Sequence, residues 1–334
     1  MDMHKAATVR GDGIGPETQC VIKAGGVPLC WEEARMGKPA RRLLGSEAAA
    51  SHLRRDADSG GQLNGAFDLH VHCAPDVRPR KMTAVELARA ARAAGMRGLL
   101  IKSHHVPTTM LAASLREIIP DLHVCGGLAL NEAVGGFNPG AVEMALRMGA
   151  VEIWMPTLSA RQECAHRGRP GSGLTIYDTQ DRILGALKEI LRLVAEADAI
   201  LGTGHLAPHE TRDLLFAARD AGVSKFLITH PEIGFINMPV DLQREISGPG
   251  VFFERCYVRP GFALSWDGLA SVIRRVGVDT TVLATDLGQP ENPDPTSGLE
   301  EMRRQLAQRG FTASELKRMM CRNPAILLGL GEDI

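Results

Sequence analysis

From residue 66 onward the chain alternates short apolar or β-branched runs with longer stretches of helical period. The strand-like runs are FDLHVH (67–72), GLLIKS (98–103), HVCGGLAL (123–130), VEIWMP (151–156), AILGTGH (199–205), KFLITH (225–230), VFFERCYV (251–258) and TVLATD (281–286). Between them lie amphipathic segments such as TAVELARAARAAG (83–95), with Thr83 and Glu86 in capping-box spacing and Gly95 as a stop. NPGAVEMALRMG, the long DTQDRILGALKEILRLVAEA, PHETRDLLFAARDAG and GLEEMRRQLAQRG repeat the pattern. Eight strands alternating with helices predict a closed parallel (β/α)₈ TIM barrel, whose site is built at the C-terminal ends of its strands; a doubly wound open sheet is the competing arrangement. The tail TASELKRMMCRNPAILLGL opens with a second capping box, Thr312 to Glu315, and reads as C-terminal helices that close the barrel.

The first 63 residues stand outside this alternation, so the chain divides into an N-terminal appendage and linker (1–63) and a barrel (64–334). Within the appendage GDGIGPE, Gly11 to Glu17, spaces its glycines G-x-G-x-G, which is not the dinucleotide-binding G-x-G-x-x-G. ATVRGDGIGPE and the following AGGVPLCWEEARMGKPA resemble the start of isocitrate and isopropylmalate dehydrogenases. No later segment supplies that family's substrate arginines and metal-binding aspartates, so its activity is not carried over. The appendage reads as a strand and helix packed on the barrel or on another subunit, while a dehydrogenase reading would predict binding of NAD or NADP.

Composition narrows the partners. With 38 basic and 39 acidic residues the net charge is -1, which gives neither a phosphate-tracking surface nor an attraction to acidic lipid. Cys20, Cys30, Cys73, Cys125, Cys164, Cys256 and Cys321 are odd in number and lack any CxxC pair, as suits reduced thiols in a cytoplasm. No apolar run reaches the length of a membrane span. The expectation is a cytoplasmic protein acting on a small molecule, with no nucleic-acid or membrane partner, and assembled as a homo-oligomer through its appendage.

The chemistry concentrates at strand ends. In DLHVHCAPD, His70 and His72 are two apart, so a regular strand puts both on one face with Leu69 and Val71 on the other. Such a pair can bind one metal or form a hydrogen-bonded rim. His205 ends the fifth run, His230 the sixth and Asp286 the eighth, and barrel closure would converge all five on one point. Imidazoles with a carboxylate suit Zn²⁺, with Mn²⁺ or Co²⁺ as alternatives, and an open coordination position lets such a metal ionise water near neutral pH.

This arrangement resembles the amidohydrolase superfamily, with HxH on strand one, histidines on strands five and six, and aspartate on strand eight. The resemblance spans about residues 66–330. It implies a metal-dependent hydrolase acting on an amide, lactone or ester, with His70, His72 and Asp286 holding one metal, His205 and His230 a second where two are present, and Asp286 also moving the proton. A single-metal decarboxylase of the same superfamily, or a phosphotriesterase-like hydrolase, is the alternative. The family's bridging lysine at the end of strand four has no counterpart here, where Trp154, Met155, Pro156 and Thr157 stand.

Lys102, of inward parity with Leu100 and His104, is the nearest substitute as a carboxylated bridge, or else hydrogen-bonds substrate or Asp286. Glu254, inward with Phe252 and Cys256, is a further bridge candidate. His104 is expected at the site as a substrate donor, an extra ligand or a rim hydrogen bond. Asn131, Trp154 and Arg259 fall just past strands three, four and seven, where substrate-contacting or purely structural residues belong. The Gly-rich stretch 159–178 suits a lid, with His166 an exposed loop residue, and Cys73 should point away from the metal.

Overall fold

The structure, a computed structural model, describes residues 63–330. GDGIGPE and the rest of the expected appendage through residue 62 lie outside the described residues, as do Cys20 and Cys30. Eight parallel strands run β1 (Phe67–Val71), β2 (Gly98–Ile101), β3 (His123–Ala129), β4 (Ala150–Trp154), β5 (Ile200–Gly202), β6 (Phe226–Ile228), β7 (Val251–Arg255) and β8 (Thr281–Leu283), each paired with the next in sequence. The seam between first and last is closed by residues just past β8. His72 N donates to Leu287 O (2.8 Å) and Asp286 N to His70 O (2.8 Å). Asp68 fastens the same seam, accepting from Thr285 N (2.9 Å) and Thr285 Oγ1 (2.6 Å). This is a (β/α)₈ barrel.

Inside it, Phe67, Leu69, Leu100, Cys125, Trp154, Ile200, Leu227, Phe252 and Val282 form one packed layer. Trp154 fits because the strands on either side present glycines. A Cβ at Gly127 would stand 2.5 Å from its ring, and one at Gly202 also 2.5 Å. The terminal helix Asn323–Leu327 stoppers this layer with Ala325 and Leu327, and Asn323 Nδ2 anchors it by donating to Val278 O (2.9 Å) and Thr281 O (2.6 Å). The outer faces of the strands pack on the helices, with Val71, Leu99 and Ile101 against the helix Ala84–Ala93, which carries the expected Thr83–Glu86 capping box.

Three expectations need correction. Leu69 does not lie opposite the two histidines. The β1 register shifts between Asp68 and Val71, so Phe67 and Leu69 point inward below while His70 and His72 point inward above. The helix expected from residue 178 spans only Gly185–Glu196, because Tyr177 and Ile183 pair as an antiparallel bridge that turns the chain first. His166, expected in a loop, is the last residue of the helix Arg161–His166 within the stretch 159–178. Among the described residues no helix is long and apolar enough to cross a membrane.

Candidate metal centre

At the C-terminal ends of the strands five imidazoles form a closed circuit. Ring centroids are separated by 5.2 Å from His70 to His72, 4.9 Å from His72 to His104, 6.0 Å from His104 to His205, 4.9 Å from His205 to His230 and 5.7 Å from His230 back to His70. All five are buried. His230 and Asp286 take left-handed backbone conformations (φ 24° and 52°), which non-glycine residues hold only where surrounding contacts enforce it, at about 1–3 kcal/mol each.

Asp286 stands at the circuit's edge, its Oδ1 lying 3.1 Å from His70 Nε2 and 3.2 Å from His72 Nε2, while Arg259 pairs with Oδ2. Burial alone would raise its pKa, but the Arg259 guanidinium and His70 hold the carboxyl well below its usual range. Glu254 on β7 accepts from His70 Nδ1 at 2.8 Å, Cys256 Sγ at 3.2 Å and His230 N at 3.3 Å. Burial works against a charge on His70. The facing Glu254 and Asp286 carboxylates nevertheless raise its affinity for a proton. Desolvation instead pushes His72 down to about 3 and lowers His104, His205 and His230, leaving these rings neutral.

These residues fit a divalent cation. Ligand atoms of His70, His72 and Asp286 all lie within 4.8 Å of one another. Their 3.1–3.2 Å spacings to Oδ1 approach the roughly 3.3 Å that separates neighbouring ligands on tetrahedral zinc. Where a histidine binds metal, its other nitrogen is ordinarily held by an acceptor. Glu254 serves His70 in this way, and Glu163 serves His205 Nδ1 at 2.8 Å.

The remaining expected residues are placed as follows. Lys102 is 1% exposed, its Nζ hydrogen-bonds nothing among the described residues, and it lies 5.2 Å over the Trp154 ring. Desolvation lowers its pKa, opposed by Glu254, Asp286 and Glu152. Trp154 is buried 6.5 Å from His70 with its indole N–H unpartnered. Asn131 is buried with its amide wholly engaged by protein groups. Arg259 keeps one buried nitrogen, Nη1, without a hydrogen-bond partner among the described residues. Cys73 packs in the outer core beside Val71, away from the histidines, and His166 is exposed and 5.4 Å from Phe235.

Several residues escaped the sequence reading. The end of β4 lacks lysine and glutamate, yet Glu152 within that strand is fully buried, neither carboxylate oxygen is hydrogen-bonded among the described residues, and desolvation together with Glu254 raises its pKa well above normal. Its inward parity with Trp154 was the available signal. Glu163 had none, because it reaches His205 from a connection whose path the sequence does not fix. Asp76 and Arg80, in the loop after β1, pair with each other and bring Arg80 Nη2 to 3.4 Å from His72 Nδ1.

Solved structures that share the eight-stranded parallel barrel include an amidohydrolase from Pseudomonas aeruginosa (TM-score 0.57, 11% identity, covering 79% of this chain and 95% of that one). A dihydroorotase (TM-score 0.55, 14%, 80% and 70%) and 2,6-dihydroxybenzoate decarboxylase complexed with 2,6-dihydroxybenzoate (TM-score 0.51, 11%, 80% and 99%) also align. At such identities the likeness to these enzymes is one of fold. The chain belongs to DUF6282, a family of unknown function, whose profile matches residues 65–254. No curated protein matches the sequence.

Proposed function

We propose that the protein is a metal-dependent hydrolase acting on an amide, lactone or ester bond of a small molecule. The observation that carries this reading is the closed circuit of five buried imidazoles against Asp286 at the barrel mouth. His70, His72 and Asp286 would hold one cation and His205 with His230 a second, most simply Zn²⁺, with Mn²⁺ or Co²⁺ as substitutes. A bound cation supplies Lewis acidity and lowers the pKa of water. Asp286 holds its place by the His70, His72 and Arg259 contacts and is the group positioned to accept a proton. Arg259 Nη1 and Lys102 Nζ offer cationic donors toward bound substrate, and carboxylation of Lys102 would turn that side chain into a bridging ligand.

A single-metal decarboxylase is the second reading, favoured because His70, His72 and Asp286 converge into a tight ligand group whereas His205 and His230 belong to no such group among the described residues. Elemental analysis separates the two, since the hydrolase with a carboxylated Lys102 takes two metals per chain and the decarboxylase takes one. His70→Ala and His72→Ala are expected to lower metal content while far-ultraviolet circular dichroism stays native, because the packed layer lies beneath them. Chelation should abolish turnover on a panel of amides, lactones and phosphotriesters, and added Zn²⁺ should restore it. Wild-type metal content in both alanine variants would sink the proposal. A small-molecule substrate and a cytoplasmic setting remain part of this reading on the grounds of charge and cysteine usage, and homo-oligomeric assembly on the grounds of the N-terminal appendage.

A further inference from the structure

We infer that His104 presents a neutral Nε2–H to the substrate oxygen, as a hydrogen-bond donor and not a metal ligand, and that Asn131 and Thr157 fix this tautomer. The inference rests on the metal-centre reading above and identifies which imidazole of the circuit meets the reacting carbonyl.

Hydrogen-bond bookkeeping carries it. Asn131 Oδ1 accepts from two backbone amides, Thr157 N at 2.8 Å and Ser159 N at 3.0 Å. Backbone N–H groups can only donate, so the orientation of the Asn131 amide is settled. Its Nδ2 hydrogens then go to His104 O (2.9 Å) and Thr157 Oγ1 (2.6 Å). Thr157 Oγ1 thus receives one hydrogen and has its own to give. The acceptor in reach is His104 Nδ1, at 2.8 Å. A neutral imidazole that accepts at Nδ1 carries its proton on Nε2.

His70 and His205 are wired the opposite way. Their Nδ1 atoms face the Glu254 and Glu163 carboxylates, both at 2.8 Å, and an ionised carboxylate only accepts. Each of these rings donates at Nδ1, which for a neutral ring leaves the Nε2 lone pair for a cation. Within the circuit, then, His70 and His205 are backed by a carboxylate and His104 by a hydroxyl, while Arg80 Nη2 stands 3.4 Å from His72 Nδ1 and His230 Nδ1 has no hydrogen-bond partner among the described residues. The His104 ring lies 4.9 Å from that of His72 and 6.0 Å from that of His205, so its outer edge borders the same space as the proposed ligands. A neutral N–H aimed there stabilises a carbonyl oxygen as negative charge develops on it. The ligand class is a carbonyl compound whose oxygen points toward strand two, and Asn131 is a positioning residue acting through Thr157.

The test uses the full chain labelled with ¹⁵N-histidine and read by long-range ¹H–¹⁵N correlation, with His104→Gln identifying the His104 signals by their disappearance. The expected result is an Nε2–H cross-peak pattern for His104 that persists when Zn²⁺ is added, while the His70 and His205 nitrogens shift. Thr157→Val should release the tautomer toward Nδ1–H, and Thr157→Ser should retain it. His104→Gln should keep the wild-type metal content. An Nδ1–H pattern in the wild type, a Zn²⁺-induced loss of the Nε2–H, a Thr157→Val spectrum identical to wild type, or metal lost from His104→Gln would each overturn the inference. A wild-type chain that takes up no Zn²⁺ would instead sink the metal-centre reading, and the His104 pattern would still decide this one.

Discussion

Glu163 shows how much a single side chain can govern. Its carboxylate receives His205 Nδ1 at 2.8 Å and is paired on its other side with Arg167, so it sets both tautomer and tilt of the ring. Glu163→Ala should weaken metal affinity about 10- to 100-fold, the usual effect of losing a group that orients a ligand. Glu163→Gln should lose less, because the amide oxygen still accepts. Competition with a chromophoric chelator would measure both, and an unchanged affinity in Glu163→Ala would remove His205 from the ligand set. His70, His72, His205, His230 and Asp286 were legible in the sequence because each stands at the end of an apolar run, where barrel geometry forces convergence. Glu163 was not, since nothing in the sequence fixes where the short helix Arg161–His166 that carries it will land.

At the scale of elements, local chemistry was the reliable guide. Both capping boxes form, with Thr83 and Thr312 each accepting from the backbone N–H of a glutamate three residues on and receiving its carboxylate in return. Thr312→Ala should cost about 1 kcal/mol in urea unfolding. Glu315 is also bonded by Arg274, which with the cap brings its pKa down to about 2 from 4.5. A depressed carboxyl pKa stabilises the fold above the unfolded value. That contribution should fade as pH falls from about 4.5 to about 2, so the difference in melting temperature between wild type and Glu315→Gln should vanish over this interval. The helix expected from residue 178 failed where local pattern gave no warning. Residues 178–184 instead close a local turn, with Asp178 N donating to Arg182 O at 2.8 Å and Leu184 N to Ile176 O at 3.0 Å.

For the whole molecule the decisive junction is the seam. Asp68 is fully buried and accepts from Thr285 N, Thr285 Oγ1 and His70 N (3.2 Å), joining the strand that carries the histidine pair to the segment that carries Asp286. Asp68→Ala would strand these donors at about 1–3 kcal/mol for each one left unsatisfied. The expected outcome is a loss of several kcal/mol in chemical denaturation, accompanied by weaker metal binding because His70 and Asp286 no longer share a fixed register. Asp68→Asn, which keeps one acceptor oxygen, should lose less. Equal stability of Asp68→Ala and wild type would show that the seam is held by its backbone bonds alone.

The sequence by itself determined the eight strands, their parallel order, the inward parity of Lys102 and Glu254, and the ligand-type residues at the mouth, because alternation of apolar runs and the two-residue strand period are local properties. Only the tertiary structure decided the rest. The register shift in β1 turns Leu69 inward below His70, glycines on β3 and β5 admit Trp154, and Glu163 arrives behind His205 from a connection far along the chain. The tautomer of His70, His104 or His205 belongs to this second group. It depends on whether a carboxylate or a hydroxyl stands behind the ring, and that partner comes from a different strand or loop, where sequence spacing carries no information about distance.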